Sequence, residues 1–127
     1  MREIRFRGKR EDSGEWVYGG FYHGIMSETD NPFSLDNARI KTIILQEGTY
    51  YHVTSETVGQ YTGLTDKNGK RIFEGDIIDT HTKWKRGYVS FYQGIFKVTS
   101  GISLQSFCPE CETLGNIYDN PEMLKKD

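Results

Sequence analysis

Short runs of alternating apolar and polar residues, separated by glycine-containing turns, follow one another along the whole chain. A two-residue period of this kind is typical of half-buried β-strands. The runs are residues 4–7, 16–22, 39–45, 50–53, 61–64, 71–73, 77–80, 88–92, 95–98 and 115–118. No segment keeps the 3.6-residue period of an amphipathic helix. The pattern therefore predicts a mainly β protein with very little helix.

The residue types between these runs predict the turns. Asn68-Gly69 lies between two strand-like runs and predicts a type I′ hairpin turn, which requires positive φ at both central residues. Glu74-Gly75-Asp76 predicts a second turn five residues later, and Gln93-Gly94 a third. Near the end of the chain, residue 119 or 120 can cap one helical turn that begins at Pro121.

The composition changes near residues 55–57, and this change predicts two parts of the chain. Residues 1–56 are expected to form an N-terminal β subdomain, and residues 57–127 a second β domain with a short C-terminal helical turn. The apolar fraction is low at 35%, but eight Tyr, seven Phe and two Trp supply large side chains for a core. Residues 27–37 are polar, contain Asn31-Pro32 and predict a loop.

The net charge of −2 is unevenly distributed. Residues 61–107 carry seven Lys or Arg against four Asp or Glu, whereas residues 108–127 carry two against five. The middle of the chain is mildly basic, but far less so than a dedicated nucleic-acid-binding domain. No apolar run approaches the length of a membrane helix, and the N-terminal residues resemble no secretory signal. Two cysteines without such a signal lead us to expect a cytoplasmic protein.

Three segments resemble the YopX family of small bacteriophage and prophage proteins. They are residues 60–78 (QYTGLTDKNGKRIFEGDII), residues 2–20 (REIRFRGKREDSGEWVYGG) and residues 114–124 (LGNIYDNPEML), and they occur in the family's order. The resemblance implies a mostly β fold whose C-terminal half is an SH3-like barrel, and a location in the cytoplasm of the bacterial host. It implies no established biochemical activity.

Cys108-Pro109-Glu110-Cys111 is the motif that most resembles a metal or redox site. Its two thiolates could bind zinc, but a closed structural site needs four ligands and the chain has no second CxxC motif. His52 or His81 could complete such a site only if the fold brings it close. A thioredoxin-type role would require a helix N-terminus in a βαβ context. We therefore expect incidental loop cysteines and no metal, with Cys108 and Cys111 as the metal candidate to test.

Three carboxylates, Glu74, Asp76 and Asp79, lie close together in the sequence. Paired carboxylates can serve metal binding or acid–base catalysis. Glu74 and Asp76 flank a turn glycine, however, and turn carboxylates commonly accept hydrogen bonds from nearby backbone N–H groups. We interpret all three as structural.

The basic segment Lys83-Trp84-Lys85-Arg86 is the candidate binding site. Its cations could neutralise phosphates while the indole of Trp84 stacks on a base. The same residues suit the tip of a β-hairpin, where the cations are solvated and Trp84 covers the end of the domain.

The chain contains no recognisable catalytic motif, such as a P-loop, a nucleophile elbow or HExxH. We therefore expect a non-enzymatic accessory protein of a phage or prophage, without a cofactor, that binds another macromolecule. The expected partner is a protein, and neither a membrane nor a cofactor is implied. The alternative is a nucleic-acid-binding protein that uses the segment from Lys83 to Arg86, and a homo-oligomer is compatible with either function.

Overall fold

The computed structural model describes residues 4–26, 39–82, 85–99 and 103–124. The described residues form ten β-strands: β1 (Phe6–Lys9), β2 (Trp16–Met26), β3 (Arg39–Gln46), β4 (Thr49–His52), β5 (Gly59–Thr65), β6 (Arg71–Phe73), β7 (Asp76–Asp79), β8 (Arg86–Tyr92), β9 (Ile95–Val98) and β10 (Glu112–Asn116). Three short 3-10 turns cover Ser55–Thr57, Leu104–Ser106 and Pro121–Leu124. These ranges contain no α-helix, and the prediction of a mainly β protein is confirmed. The loop predicted at residues 27–37 lies outside the described residues.

The chain divides into two compact units. The N-terminal unit comprises residues 5–58, and the C-terminal unit comprises residues 1–4 and 59–127. No helix in the described ranges has both the length and the apolarity that a membrane span requires.

The strands of the N-terminal unit form an antiparallel sheet in the order β4-β3-β2-β1. Ile44 at its centre is fully buried and pairs with Phe21 on one side and Tyr51 on the other. Because side chains alternate between the faces of a strand, one face of β3 supplies the core. The core residues are Val17, Ile44 and Val53, with Phe6, Tyr51 and Val58 packed against them.

The C-terminal unit contains the β5–β6 hairpin and an antiparallel sheet in the order β10-β7-β8-β9. Both faces of β7 are covered, because three of its four residues are buried. In β8, Gly87 and Val89 are buried and lie on one face of the strand. The core residues are Ile72, Ile78, Val89, Val98, Leu104, Phe107 and Cys111, with Leu64, Phe96 and Cys108 packed against them.

No sheet closes into a barrel within the described part of the chain, so the predicted SH3-like barrel is not confirmed. The four-stranded sheet of the C-terminal unit ends in β10 on one side and β9 on the other. β10 itself begins earlier than the sequence predicted, at Glu112 instead of Gly115. It ends at Asn116, whose side-chain oxygen accepts hydrogen bonds from the N–H groups of Tyr118 and Asp119. The predicted helical turn from Pro121 is present as a 3-10 turn.

The turn at Asn68-Gly69 is present, but the prediction of a type I′ turn is wrong. Gly69 has φ +78°, whereas Asn68 does not have positive φ. The loop has three residues instead of two, because Asp66 and Lys70 close it through a hydrogen bond from Asp66 N to Lys70 O. Such a loop combines a type I turn with one left-handed residue. Positive φ at both central residues occurs instead at Glu47-Gly48 and Gln93-Gly94.

Candidate functional site

The basic segment lies between β7 and β8, and the structure describes its second half. Lys83 and Trp84 lie outside the described residues. Lys85 is exposed with φ +58°, and Arg86 is the exposed first residue of β8. The Nη1 atom of Arg86 donates a hydrogen bond to the carbonyl oxygen of Met123 at 3.1 Å. One donor of the segment is therefore used inside the protein, and the binding role stays a prediction.

Hydrogen bonds connect Lys85 to two described residues just before the segment, Thr80 and Thr82. The carbonyl oxygen of Lys85 accepts from the N–H of Thr80 and from its hydroxyl group, both at 2.9 Å. The N–H of Lys85 donates to Thr82 O at 3.0 Å. These bonds fix the position of the Lys85 backbone, and the residue is exposed.

The three carboxylates of the 74–79 segment are structural, as the sequence predicted. Each accepts a hydrogen bond from a backbone N–H group: Glu74 from Gln60 at 3.2 Å, Asp76 from Phe73 at 2.8 Å and Asp79 from His81 at 2.9 Å. Asp76 is buried, and its bond closes the turn around Gly75, which has φ +93°. Asp76 and Asp79 therefore accept from nearby turn backbone, whereas the bond of Glu74 connects it to Gln60 in β5.

Asp66 is a further buried carboxylate, and the sequence analysis did not single it out. Its two oxygens accept hydrogen bonds from the backbone N–H groups of Asn68, Lys70 and Thr113 at 2.9–3.0 Å. Burial raises the pKa of Asp66, but these three hydrogen bonds outweigh it and hold the pKa below its ordinary value. The signal in the sequence is an Asp two residues before Asn-Gly, where its side chain can accept from the turn backbone.

The two cysteines of the CxxC motif lie with their sulfur atoms 3.1 Å apart and share a hydrogen bond. Both are reduced. Cys111 is completely buried and Cys108 is half-buried, and Cys111 belongs to the core of the C-terminal unit. Burial is the main cause that raises the pKa of each thiol. Cys111 is therefore a core residue and not an incidental one.

No group of three or more His, Cys, Asp or Glu side chains within the described ranges is placed to hold a metal ion. Neither of the two histidines considered from the sequence forms such a group with the thiols. His81 contacts Glu112, with Nε2 3.4 Å from Oε1, and His52 stacks edge-on against Tyr50. The structure thus gives the thiol pair no identified third ligand among these residues.

An open groove of about 350 Å³ lies in the C-terminal unit, next to the turn that joins β8 and β9. Its lining residues come from β5, from the β8–β9 turn and the start of β9, and from the second 3-10 turn with the residue before it: Thr62, Gly63, Leu64, Gly94, Ile95, Phe96, Ser103 and Gln105. The lining mixes apolar side chains with hydroxyl and amide groups. The groove is open to solvent, and it therefore offers a shallow contact surface and not an enclosed pocket.

Three large apolar side chains of the same hairpin are exposed. Phe91 is 53% exposed, Tyr92 57% and Ile95 50%. Phe91 packs edge-on against Phe96, with ring centroids 4.9 Å apart, and Tyr92 pairs with Ile95 across the turn. We call Phe91, Tyr92 and Ile95, together with the groove, the β8–β9 surface. Ile95 lines the groove and shares one face of the hairpin with Tyr92, whereas Phe91 lies on the other face with Phe96.

Comparison with known protein families identifies the family of this chain. The family model described as "YopX protein" matches residues 5–125, which is nearly the whole chain. The chain belongs to the YopX family. This result confirms the resemblance that the three sequence segments indicated.

A solved structure has a fold similar to that of this YopX family member. It is the crystal structure of protein EF1440 from Enterococcus faecalis, with a TM-score of 0.59 and 22% sequence identity. The match covers 98% of this chain and 99% of that chain. At this identity the likeness shows the fold alone. No curated protein matches the chain.

The β8–β9 surface of this YopX family protein was missed in the sequence analysis, although the sequence carries a signal for it. Lys97 is the only charged residue between Gly87 and Pro109, whereas 27% of the whole chain is charged. Strand alternation alone predicts one buried face and does not reveal which apolar residues stay exposed. A long uncharged stretch with several aromatic residues is the feature that could have identified the surface.

Proposed function

We propose that this YopX family protein is a non-enzymatic phage or prophage accessory protein that binds another protein through the β8–β9 surface. The observation that carries the proposal is the open groove that Ile95 lines, on a hairpin whose Phe91 and Tyr92 side chains are also exposed. Large aromatic side chains with about half of their area exposed cost free energy in water, and binding a partner removes that cost.

The charge of the surface favours a protein partner over a nucleic acid. Among the described residues between Gly87 and Pro109, which include most of the β8–β9 hairpin, Lys97 carries the single charge, and its Nζ lies 5.5 Å from the ring centre of Tyr92. Nucleic-acid binding depends on several cations that neutralise phosphates. The centres of protein interfaces, in contrast, are depleted in charge and enriched in aromatic residues.

The non-enzymatic part of the proposal is supported by the roles of the buried carboxylates. Asp66 and Asp76 accept hydrogen bonds from turn backbone and so stabilise local structure. The phage or prophage origin, the host cytoplasm and an SH3-like classification of the C-terminal unit belong to the same proposal. They are supported by the resemblance of residues 2–20, 60–78 and 114–124 to the family's pattern.

A displayed library of random peptides tests the proposed protein-binding role. The full-length protein is immobilised, binding peptides are selected, and their affinities are measured by titration. We expect enriched peptides with apolar residues and few charges. Replacing the cross-strand pair Tyr92 and Ile95 together by Ser should weaken their binding by roughly 30-fold or more, because truncation of central aromatic contacts costs about 2 kcal/mol.

The matched control is Leu45→Ser combined with Tyr50→Ser. These residues pair across β3 and β4 and are 52% and 54% exposed, so the control removes similar apolar area from the N-terminal unit. We expect it to bind the selected peptides like the wild type. Enrichment of no peptide, or equal loss of binding in both double variants, would refute the assignment of the β8–β9 surface. Circular dichroism of each variant checks that it is folded.

A further inference from the structure

The turn that carries the CxxC motif holds its two thiols face to face. The N–H groups of Glu110 and Cys111 both donate to the carbonyl oxygen of Phe107 at 3.1 Å, and Cys108 N donates to Leu104 O at 3.3 Å. These bonds close the turn and bring the sulfur atoms to 3.1 Å. The two sulfur atoms of a disulfide are about 2.05 Å apart, so they need to approach by roughly 1 Å when the thiols are oxidised.

We propose that Cys108 and Cys111 form a modification site at which a low-molecular-weight disulfide oxidises the thiol pair to an intramolecular disulfide. Each cysteine has one defined role, set by its exposure. Cys108 is half-buried and is the sulfur that an oxidant reaches first. Cys111 is completely buried and reacts only with its neighbour in the turn.

The reaction proceeds by two thiol–disulfide exchanges. The Cys108 thiolate attacks one sulfur of the oxidant, forms a mixed disulfide and releases one small thiol. The Cys111 thiolate then attacks the Sγ atom of Cys108, forms the intramolecular bond and releases the second small thiol. In total, the protein thiols lose two protons and two electrons, and the oxidant gains both to become two thiols.

The surroundings of the pair make this oxidation slow at neutral pH. Burial raises the pKa of both thiols, and the negative charges of Asp66 in the β5–β6 turn and of Glu110 within the motif act in the same direction. The hydrogen bond between the thiols raises the pKa of Cys108 and lowers that of Cys111, so access and not acidity makes Cys108 the first to react. The thiolate is the reacting form, so it is scarce at pH 7. The site is therefore expected to undergo a slow, stabilising oxidation and not to act as a rapid redox sensor.

Backbone contacts on both sides anchor the turn, so oxidation need not rearrange it. The carbonyl oxygen of Cys111 accepts a hydrogen bond from Lys67 N at 2.9 Å. Two residues further on, the N–H of Thr113 donates to Asp66 at 3.0 Å. The thiol pair is thus held against the β5–β6 turn and the start of β10. A disulfide in this position should preserve the fold and raise its melting temperature.

Oxidised glutathione and intact-mass measurement test the proposal on the full-length native protein. After reduction and transfer to oxidised glutathione, we expect a final product that has lost about 2 Da and carries no adduct. Its formation should speed up about tenfold per pH unit between pH 7 and 8.5, because the thiolate fraction rises by that factor below the pKa. The oxidised protein should melt at a higher temperature than the reduced protein.

Two single variants separate the roles of the cysteines. In Cys108→Ser the remaining thiol is buried, and we expect no glutathione adduct on the native protein. In Cys111→Ser the reaction should stop at one adduct on Cys108. If this variant does not fold, the wild type and Cys108→Ser still decide the question.

Protein unfolded in guanidinium, in which both thiols must react, is the positive control. A native wild type that stays reduced, ends as an adduct or a linked dimer, or melts lower after oxidation overturns the proposal.

Discussion

The carboxylate of Asp66 accepts a hydrogen bond from the backbone N–H of Thr113 at 3.0 Å, across a separation of 47 residues. Its other oxygen accepts from the N–H groups of Asn68 and Lys70 in the β5–β6 turn. One buried side chain therefore connects a hairpin turn to the start of β10. The hairpin and the edge strand of the neighbouring sheet depend on the same negative charge.

We expect Asp66→Asn to destabilise the protein by about 1–3 kcal/mol, the cost of disturbing hydrogen bonds to a buried charged group. An amide offers one acceptor oxygen in place of two, and its NH₂ group would face a backbone N–H. Urea denaturation at pH 7 measures the change. Asp12→Asn is the control, because Asp12 is exposed and pairs with Arg10 at 2.8 Å; little change is expected there. Equal stability of Asp66→Asn and the wild type would contradict the role of Asp66.

The same residue predicts a pH dependence. The folded-state pKa of Asp66 lies below its ordinary value because of the three backbone hydrogen bonds, although burial opposes this shift. The stabilisation is therefore complete above the unfolded-state pKa of about 3.9 and is lost as the pH falls through the folded-state pKa. Urea midpoints from pH 7 to pH 2.5 should show the gap between the wild type and Asp66→Asn closing below about pH 4. A constant gap down to pH 3 would exclude this linkage.

The strands could be predicted from the sequence, whereas one turn and one long-range hydrogen bond could not. The strands were predictable because their two-residue period reflects one buried face. The conformation of the Asn68-Gly69 turn was not, because the Asp66 side chain favours a three-residue loop over the type I′ turn that Asn-Gly prefers by itself. The bond from Asp66 to Thr113 joins residues far apart in sequence, and no local pattern encodes it. For the same reason, the exposure of Phe91 depends on which neighbours cover β8.

Gly69→Val should destabilise the protein by about 1–2 kcal/mol, since an L-residue with a side chain is strained at positive φ. Gly69 has φ +78°, and an added Cβ would meet no atom within 4 Å, so the cost is one of backbone conformation and not of collision. Gly69→Asn is the matched control, because Asn tolerates this conformation better than a β-branched residue. Thermal melting compares the three proteins. A melting temperature that Val leaves unchanged would refute the left-handed assignment.

The purified reduced protein should contain well below one zinc ion per chain. The thiol pair supplies two ligands, and a structural zinc site requires four. The described His, Cys, Asp and Glu residues provide no group of three around it. Elemental analysis after purification without chelator gives the zinc content. One zinc per chain would contradict the prediction directly, and one zinc per two chains would indicate a site shared between copies of the chain.

Nucleic-acid binding by the basic segment should be absent at physiological salt. If Lys83, Lys85 and Arg86 contacted phosphates, about three counterions would be released and the logarithm of affinity would fall with the logarithm of salt at a slope near −2 to −3. Arg86 already donates one of its N–H groups to Met123 O, so fewer of its donors are free to bind a phosphate.

Fluorescence anisotropy with labelled single-stranded DNA measures binding across salt concentrations, with the triple alanine variant and Trp84→Ala beside the wild type. Micromolar binding that the triple variant abolishes, with a stacking loss of about 1–3 kcal/mol for Trp84→Ala, would place the nucleic-acid function above the protein-binding one.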